Sequence, residues 1–240
     1  MITRRALLAG LAHSVAASNV RTPVLVELFT SQGCSSCPPA DRLLERLDRE
    51  QPVAGADVLV LSEHVDYWNY LGWTDPFSSP AFSARQQRYV ERFRLESAYT
   101  PQMVVDGASQ FVGSDARRAE AAIAEAAGRP KKALRLELRG PALSFFVEQP
   151  AAGEAVIVAL ARETASVGVG RGENAGRQLR HVAVAEKLIE TGRSQGEVNL
   201  RRERFDGYRI VAFAQDRTGR ITAAARATMS RDVQEHSAAL

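Results

Sequence analysis

The chain has 240 residues, a net charge of +3, 45% hydrophobic and 25% charged residues. That composition excludes a disordered or fibrous protein and describes a globular chain long enough for one large domain or two small ones. No apolar run is long enough to span a bilayer as a mature helix, and the scattered arginines do not form a nucleic-acid-binding stripe.

The first 18 residues read as a removable export signal. Arg4 and Arg5 form a charged region, residues 6–12 an apolar one, and Ser14-Val15-Ala16 supplies the small residues a signal peptidase needs. T-R-R-A-L-L also resembles a twin-arginine signal, so either route is open. Cleavage after Ala16 removes two positive charges from +3 and leaves +1. The expected location is the periplasm or the outside of the cell, an oxidising compartment that preserves disulfides.

Residues 24–29 (VLVELF) form a buried strand, and residues 38–50 an amphipathic helix with Leu43, Leu44 and Leu47 on its apolar face. Pro38 and Pro39 are tolerated because they fall in the helix's first turn. Between strand and helix stand Cys34 and Cys37, the only two cysteines of the chain. A C-x-x-C at a helix start after a strand is a redox signature. The positive end of the helix dipole stabilises a thiolate, and the two-residue spacer lets the second thiol resolve a mixed disulfide.

Residues 57–62 (DVLVLS) form a second strand, parallel to the first. His64 and Asp66 follow its carboxyl end, where open α/β sheets gather their sites. Four aromatics within the next stretch, Tyr67, Trp68, Tyr70 and Trp73, are expected to rim a peptide- or thiol-binding surface, or else to pack an inserted helix on the sheet. A helix over 80–96 with Phe82, Tyr89 and Phe93 inward comes next; Arg85, Arg88, Arg92 and Arg94 read mostly as its solvated face. M-V-V-D-G-A-S-Q-F-V is a strand, an Asp106-Gly107 turn and a strand. Ser114 caps a last helix, which Gly128 and Pro130 stop.

After Pro130 the pattern changes to strands at 132–139, 143–148, 154–162, 179–190, 208–216 and 220–228. The reading is an α/β domain over 21–129, a mostly antiparallel β-sandwich-like domain over 130–229 and a tail over 230–240. The loop R-G-E-N-A-G-R at 171–177 lacks the lysine and context of a phosphate loop; it is expected either to pack against the first domain near its active face or to be a bulged strand connection.

The element order up to residue 129 resembles the thioredoxin fold. VELFTSQGCSSCPPAD, HVDYWNYLGWTDPF, YTPQMVVDG and RGENAGRQLRHVAV together resemble a family of bacterial exported thioredoxin-like proteins catalogued only as a domain of unknown function. The resemblance implies a cis peptide at Thr100-Pro101, facing the C-x-x-C across a substrate groove. It also implies a buried acid on the first strand, Glu27, as proton acceptor for Cys37; the other reading of Glu27 is an ion-paired structural acid.

The expected function is exported thiol–disulfide oxidoreductase. Cys34 attacks, Cys37 resolves, and Thr100, Pro101, His64, Asp66 and Trp68 bind a protein or peptide substrate. A second, unidentified redox partner is implied and no cofactor is needed. Two alternatives stand beside it: a partner-binding module with a structural Cys34–Cys37 disulfide, and a Cu(I)-handling protein using the two thiolates with His64. A hydrolase is disfavoured by the lack of G-x-S-x-G.

Overall fold

The computed structural model describes residues 21–202 and 204–228. The expected export signal at 1–18 and the tail at 230–240 lie outside the described residues. The elements run β1 (Thr22–Thr30), α1 (Pro38–Glu50), β2 (Ala56–His64), a short 3-10 turn (Asn69–Leu71), α2 (Pro80–Phe93), β3 (Gln102–Val105), β4 (Ser109–Val112) and α3 (Ala116–Ala127). Then follow β5 (Leu134–Arg139), β6 (Ala142–Val147), β7 (Ala155–Gly168), β8 (Gln178–Glu190), β9 (Gln195–Asn199), β10 (Tyr208–Gln215) and β11 (Ile221–Arg226).

β1 and β2 pair in parallel, and β1 pairs antiparallel with β3, which turns back into β4. The alternating side chains of β1 divide between two cores. Val24, Val26 and Leu28 pack with Leu43, Leu44 and Leu47 of α1 and with Ala119 and Ile123 of α3. Leu25 points the other way, into a core shared with Leu59, Leu61, Val211 and Phe213.

The C-terminal strands do not form a separate sheet stack as the sequence reading expects. β8 joins the free side of β2, and the eight-stranded mixed sheet runs β11-β10-β7-β8-β2-β1-β3-β4. Only β5, β6 and β9 make a second, three-stranded sheet. Its Leu143, Phe145 and Val147 cover Val158, Leu160 and Ile210 of the large sheet, so a sandwich exists, with its second layer drawn from the same sheet as β1. The physical reason is the length of β7 and β8. At 14 and 13 residues they extend beyond what one sandwich layer needs, and β8 reaches β2 at Ser62 and Val184.

Two local expectations change, and the expected Asp106-Gly107 turn gains a partner. α2 ends at Phe93, where Arg94 adopts a left-handed conformation (φ 54°) and closes the helix. Asp115, not Ser114, caps α3, accepting a hydrogen bond from the Arg118 amide at 3.0 Å. The Asp106-Gly107 turn docks against the β10–β11 turn: the Ile221 amide donates to the Asp106 carbonyl at 2.9 Å. A Cβ on Gly107 (φ +58°) would meet the Gly219 carbonyl oxygen at 2.1 Å, so no side chain fits there.

Candidate functional site

The site lies where β1 and β2 end. Beyond Thr30 the chain turns through Ser31, Gln32 and Gly33 into Cys34-Ser35-Ser36-Cys37, and Cys37 serves as N-cap residue of α1. Cys34 and Cys37 form a disulfide, with Cα atoms 5.5 Å apart. Ser35 and Ser36 are exposed, but both sulfur-bearing residues are fully buried. The Ser36 hydroxyl lies 3.3 Å from Cys34 Sγ.

Two segments cover the pair. The first is the aromatic stretch after β2. Trp68 donates from Nε1 to Thr100 Oγ1 at 2.8 Å, and its Cβ lies 3.1 Å from where a side chain on Gly33 would begin. Trp68 therefore bridges the residue before Cys34 and the residue before Pro101. Thr100-Pro101 is a cis peptide. Trp73 donates to Gln32 Oε1 at 3.0 Å. Tyr70, by contrast, is 80% exposed.

The second cover comes from the C-terminal part. The loop between β7 and β8 folds over the cysteines. Asn174, fully buried, donates from one amide nitrogen to the carbonyls of Gln32 at 2.9 Å and Cys34 at 2.8 Å. Glu173 accepts from the Ser35 amide at 2.9 Å. Ser35's hydroxyl and amide hold the Glu173 carboxylate below its ordinary range. Gly170 and Gly172 pack on Trp73.

Beneath the pair lies a buried polar cluster. His64 Nδ1 is 2.7 Å from Asp75 Oδ2, which also accepts from the Gln32 amide at 2.8 Å. Burial pulls the His64 imidazole down, but the carboxylates of Asp75 and then Asp41 outweigh it and its pKa is raised. Burial likewise pushes Asp75 up, and His64 with the amides of Gln32 and Phe77 more than reverses this, leaving it low. The His181 ring of β8 stands edge-on to His64, centroids 4.6 Å apart. His181 Nδ1 is 3.6 Å from Asp41 Oδ1, and Thr30 donates its hydroxyl to that same oxygen at 2.9 Å.

Of the residues singled out from sequence, Cys34, Cys37, Trp68, Thr100 and Pro101 come together here, and His64 is tied through Asp75 to Gln32 of the turn that leads into Cys34. Asp66 does not join them. It accepts from the Ser83 hydroxyl at 2.5 Å and ties its loop to the start of α2. Glu27 lies on the sheet face that carries Leu25, away from α1. Arg85 Nε donates to its Oε1 at 2.5 Å and the Tyr89 hydroxyl to its Oε2 at 2.6 Å. The expected link from Glu27 to Cys37 is not formed; the acid is ion-paired, because a strand side chain on this face meets α2 and not α1. Arg85 is accordingly buried, correcting its assignment to a solvated face. Glu63, beside this ion pair, has a carboxyl pushed well above its ordinary range, by burial first and the Glu27 carboxylate second.

Sequence reasoning offered packing near the active face for the loop of Glu173 and Asn174 without giving either residue a role, and the contacts to Ser35, Gln32 and Cys34 bear that reading out; it missed Asp41, Asp75 and His181. Two of them carried a signal. Asp41 is one helical turn after Cys37, and the alternation Leu179, His181, Ala183 puts His181 on a buried face of β8. Among the described residues, no group of three or more His, Cys, Asp or Glu side chains is arranged to hold a metal ion, and no helix is long and apolar enough to cross a membrane.

A mixed α/β sheet protein with a C-x-x-C disulfide at a helix start is the class these features define. The chain belongs to the DUF1223 family, described as a protein of unknown function, whose model matches residues 25–215. No curated protein matches it. It is similar to an Agrobacterium tumefaciens protein of known crystal structure, a structural-genomics target, with 26% identity, a TM-score of 0.71 and coverage of 90% of this chain and 98% of that one. HBP35 of Porphyromonas gingivalis shares the fold at 14% identity, with a TM-score of 0.54 over 88% of this chain and 76% of that one.

Proposed function

We propose that the protein is an exported, thioredoxin-like thiol–disulfide oxidoreductase that acts on protein or peptide thiols, with the β7–β8 loop as a cover over its reactive pair. The observation that carries this reading is the placement of the Cys34–Cys37 disulfide at the start of α1, next to Trp68 and the Thr100–Pro101 segment. Helix-start placement favours a thiolate. The strand, C-x-x-C helix, strand, helix, hairpin and helix order of residues 22–127 supports the thioredoxin-like assignment. The N-terminal segment supports export. In this reading Cys34 attacks and Cys37 resolves, Trp68 and Pro101 shape the groove, and the loop carrying Glu173 and Asn174 lifts to admit a substrate chain.

The test is trapping. Cys37→Ser should accumulate mixed disulfides through Cys34, and Cys34→Ser should accumulate none. Exchange that survives the loss of Cys34 contradicts the assignment.

The burial of both sulfurs favours a second reading, a partner-binding module in which the disulfide is a structural staple of the 31–37 turn. That reading predicts that the pair resists a dithiol until the protein unfolds.

A further inference from the structure

His181 is a buried imidazole whose two ring nitrogens both lack a protein hydrogen-bond partner. Its exposure is 1%. Leaving such a group unsatisfied is costly, and native structures keep few of them. His64, its neighbour, is anchored by Asp75, so the two histidines are not equivalent. The charged and titratable groups around His181 come from each element that packs on it: Asp41 from α1, His64 from β2, and Asp75, bonded to His64, from the loop before α2. β1 contributes the uncharged hydroxyl of Thr30, and Phe77 adds its ring. Arg180, next to His181, instead pairs with Glu45 at 3.2 Å.

Asp41 links this pocket to the cysteines. Its amide donates to the Cys37 carbonyl at 3.1 Å, so it sits one turn along α1 on the same face as Cys37. The Asp41 carboxylate, which accepts from Thr30 and lies 3.6 Å from His181 Nδ1, thus stands on the α1 face that carries Cys37 one turn earlier. Breaking the disulfide creates, one helical turn from that carboxylate, a buried sulfur that needs either a proton or a counter-charge.

We propose that His181 follows the redox state of the cysteine pair, taking up one proton when the disulfide is reduced and Cys37 becomes a thiolate. The proposal rests on the oxidoreductase reading for its purpose but not for its test. In the step, one thiolate of a dithiol reductant attacks Cys34 Sγ, the S–S bond breaks, and its electron pair leaves on Cys37. The second sulfur of the reductant then displaces Cys34, closing the reductant's own disulfide. The dithiol thus gives up two electrons and two protons. One proton ends on Cys34, which must lose it again before attacking a substrate, and the other on His181, whose imidazolium balances the Cys37 thiolate. His181 is a positioning residue for that charge.

The experiment follows the imidazole signals of His181 by NMR against pH in oxidised protein and in protein reduced with a phosphine. The inference predicts that reduction raises the His181 midpoint by about one pH unit or more, a roughly tenfold gain in proton affinity. Cys34→Ser, which keeps the Cys37 thiol, should show the raised midpoint, and Cys37→Ser should not. In His181→Gln, alkylation of the reduced Cys37 should begin at a pH higher by a comparable amount, a profile that a packing role does not move. The same midpoint in both redox states overturns the inference, as does a rise that persists in Cys37→Ser. Unfolding on reduction overturns it too, since no native reduced state then exists. A midpoint shift without exchange activity would remove the oxidoreductase reading and leave this coupling intact.

Discussion

The side chain of Asn174 holds the carbonyl of Cys34 at 2.8 Å, across 140 residues of chain. The same nitrogen holds Gln32, so one buried amide fixes the cover over the cysteine turn. Each such bond contributes about 1 kcal/mol net, and about 1.4 kcal/mol corresponds to a tenfold change in an equilibrium. Asn174→Ala should therefore raise the rate at which a small dithiol reduces the native protein by roughly tenfold, with a modest drop in melting temperature. Unchanged reduction kinetics would mean that the loop is not the barrier.

The His64–Asp75 pair predicts a pH window for stability. His64 is raised in the folded state, so its contribution is complete below about 6.5 and is lost as pH climbs through the raised value. Asp75 is lowered, so its contribution is present above about 3.9 and is lost as pH falls through the lowered value. The pair thus stabilises most between about pH 4 and 6.5. Asp75→Asn should cost most melting temperature in that window and less at alkaline pH. A pH-independent cost would reduce Asp75 to its bonds with the Gln32 and Phe77 amides.

Glu63 and Glu27 should respond oppositely to the same change. Glu63 is raised in the folded protein, so ordinary carboxylate ionisation above about pH 4.3 works against folding. Glu63→Gln should raise the melting temperature at neutral pH and change nothing below about pH 4. Glu27→Gln strips the main partner from buried Arg85 and should destabilise by about 3–5 kcal/mol. Native exchange at Cys34 and Cys37 should be unaffected by it. Slowed resolution at unchanged stability would return Glu27 to a role in proton transfer.

Gly107 tests the junction between the hairpin and the last two strands. Gly107→Ala drives a methyl against the Gly219 backbone at a positive φ, and backbone cannot yield as a side chain can. A loss of several kcal/mol is expected, larger than for Ala at Gly140, where nothing lies within 4 Å and φ is +56°. Chemical denaturation of the two variants compares them directly.

Much of this was readable in the chain. Strand hydrophobicity, paired prolines after Cys37 and the Asp106-Gly107 turn each follow from local chemistry and located β1, α1 and the hairpin. The joining of β8 to β2 was not readable, because a continuous apolar strand is compatible with either sheet and its partner is chosen by tertiary packing. The cover over Cys34 was legible only as an open choice between the 171–177 loop packing near the active face and a bulged strand connection. R-G-E-N-A-G-R shows loop chemistry, but a contact between Asn174 and Cys34 has no local signature. Glu27 illustrates the reverse failure: its burial was legible, but which face of β1 it occupies depends on a register that the sequence leaves open.

The central claim is tested most directly by equilibrating the native protein with glutathione redox buffers and trapping thiols with an alkylating reagent. The account predicts a reversible transition of the Cys34–Cys37 pair with the fold intact, and one thiol in the reduced protein that titrates below about 8.5. A pair that stays oxidised until the protein unfolds, or thiols that react only in denaturant, would contradict it and leave the disulfide as a structural staple.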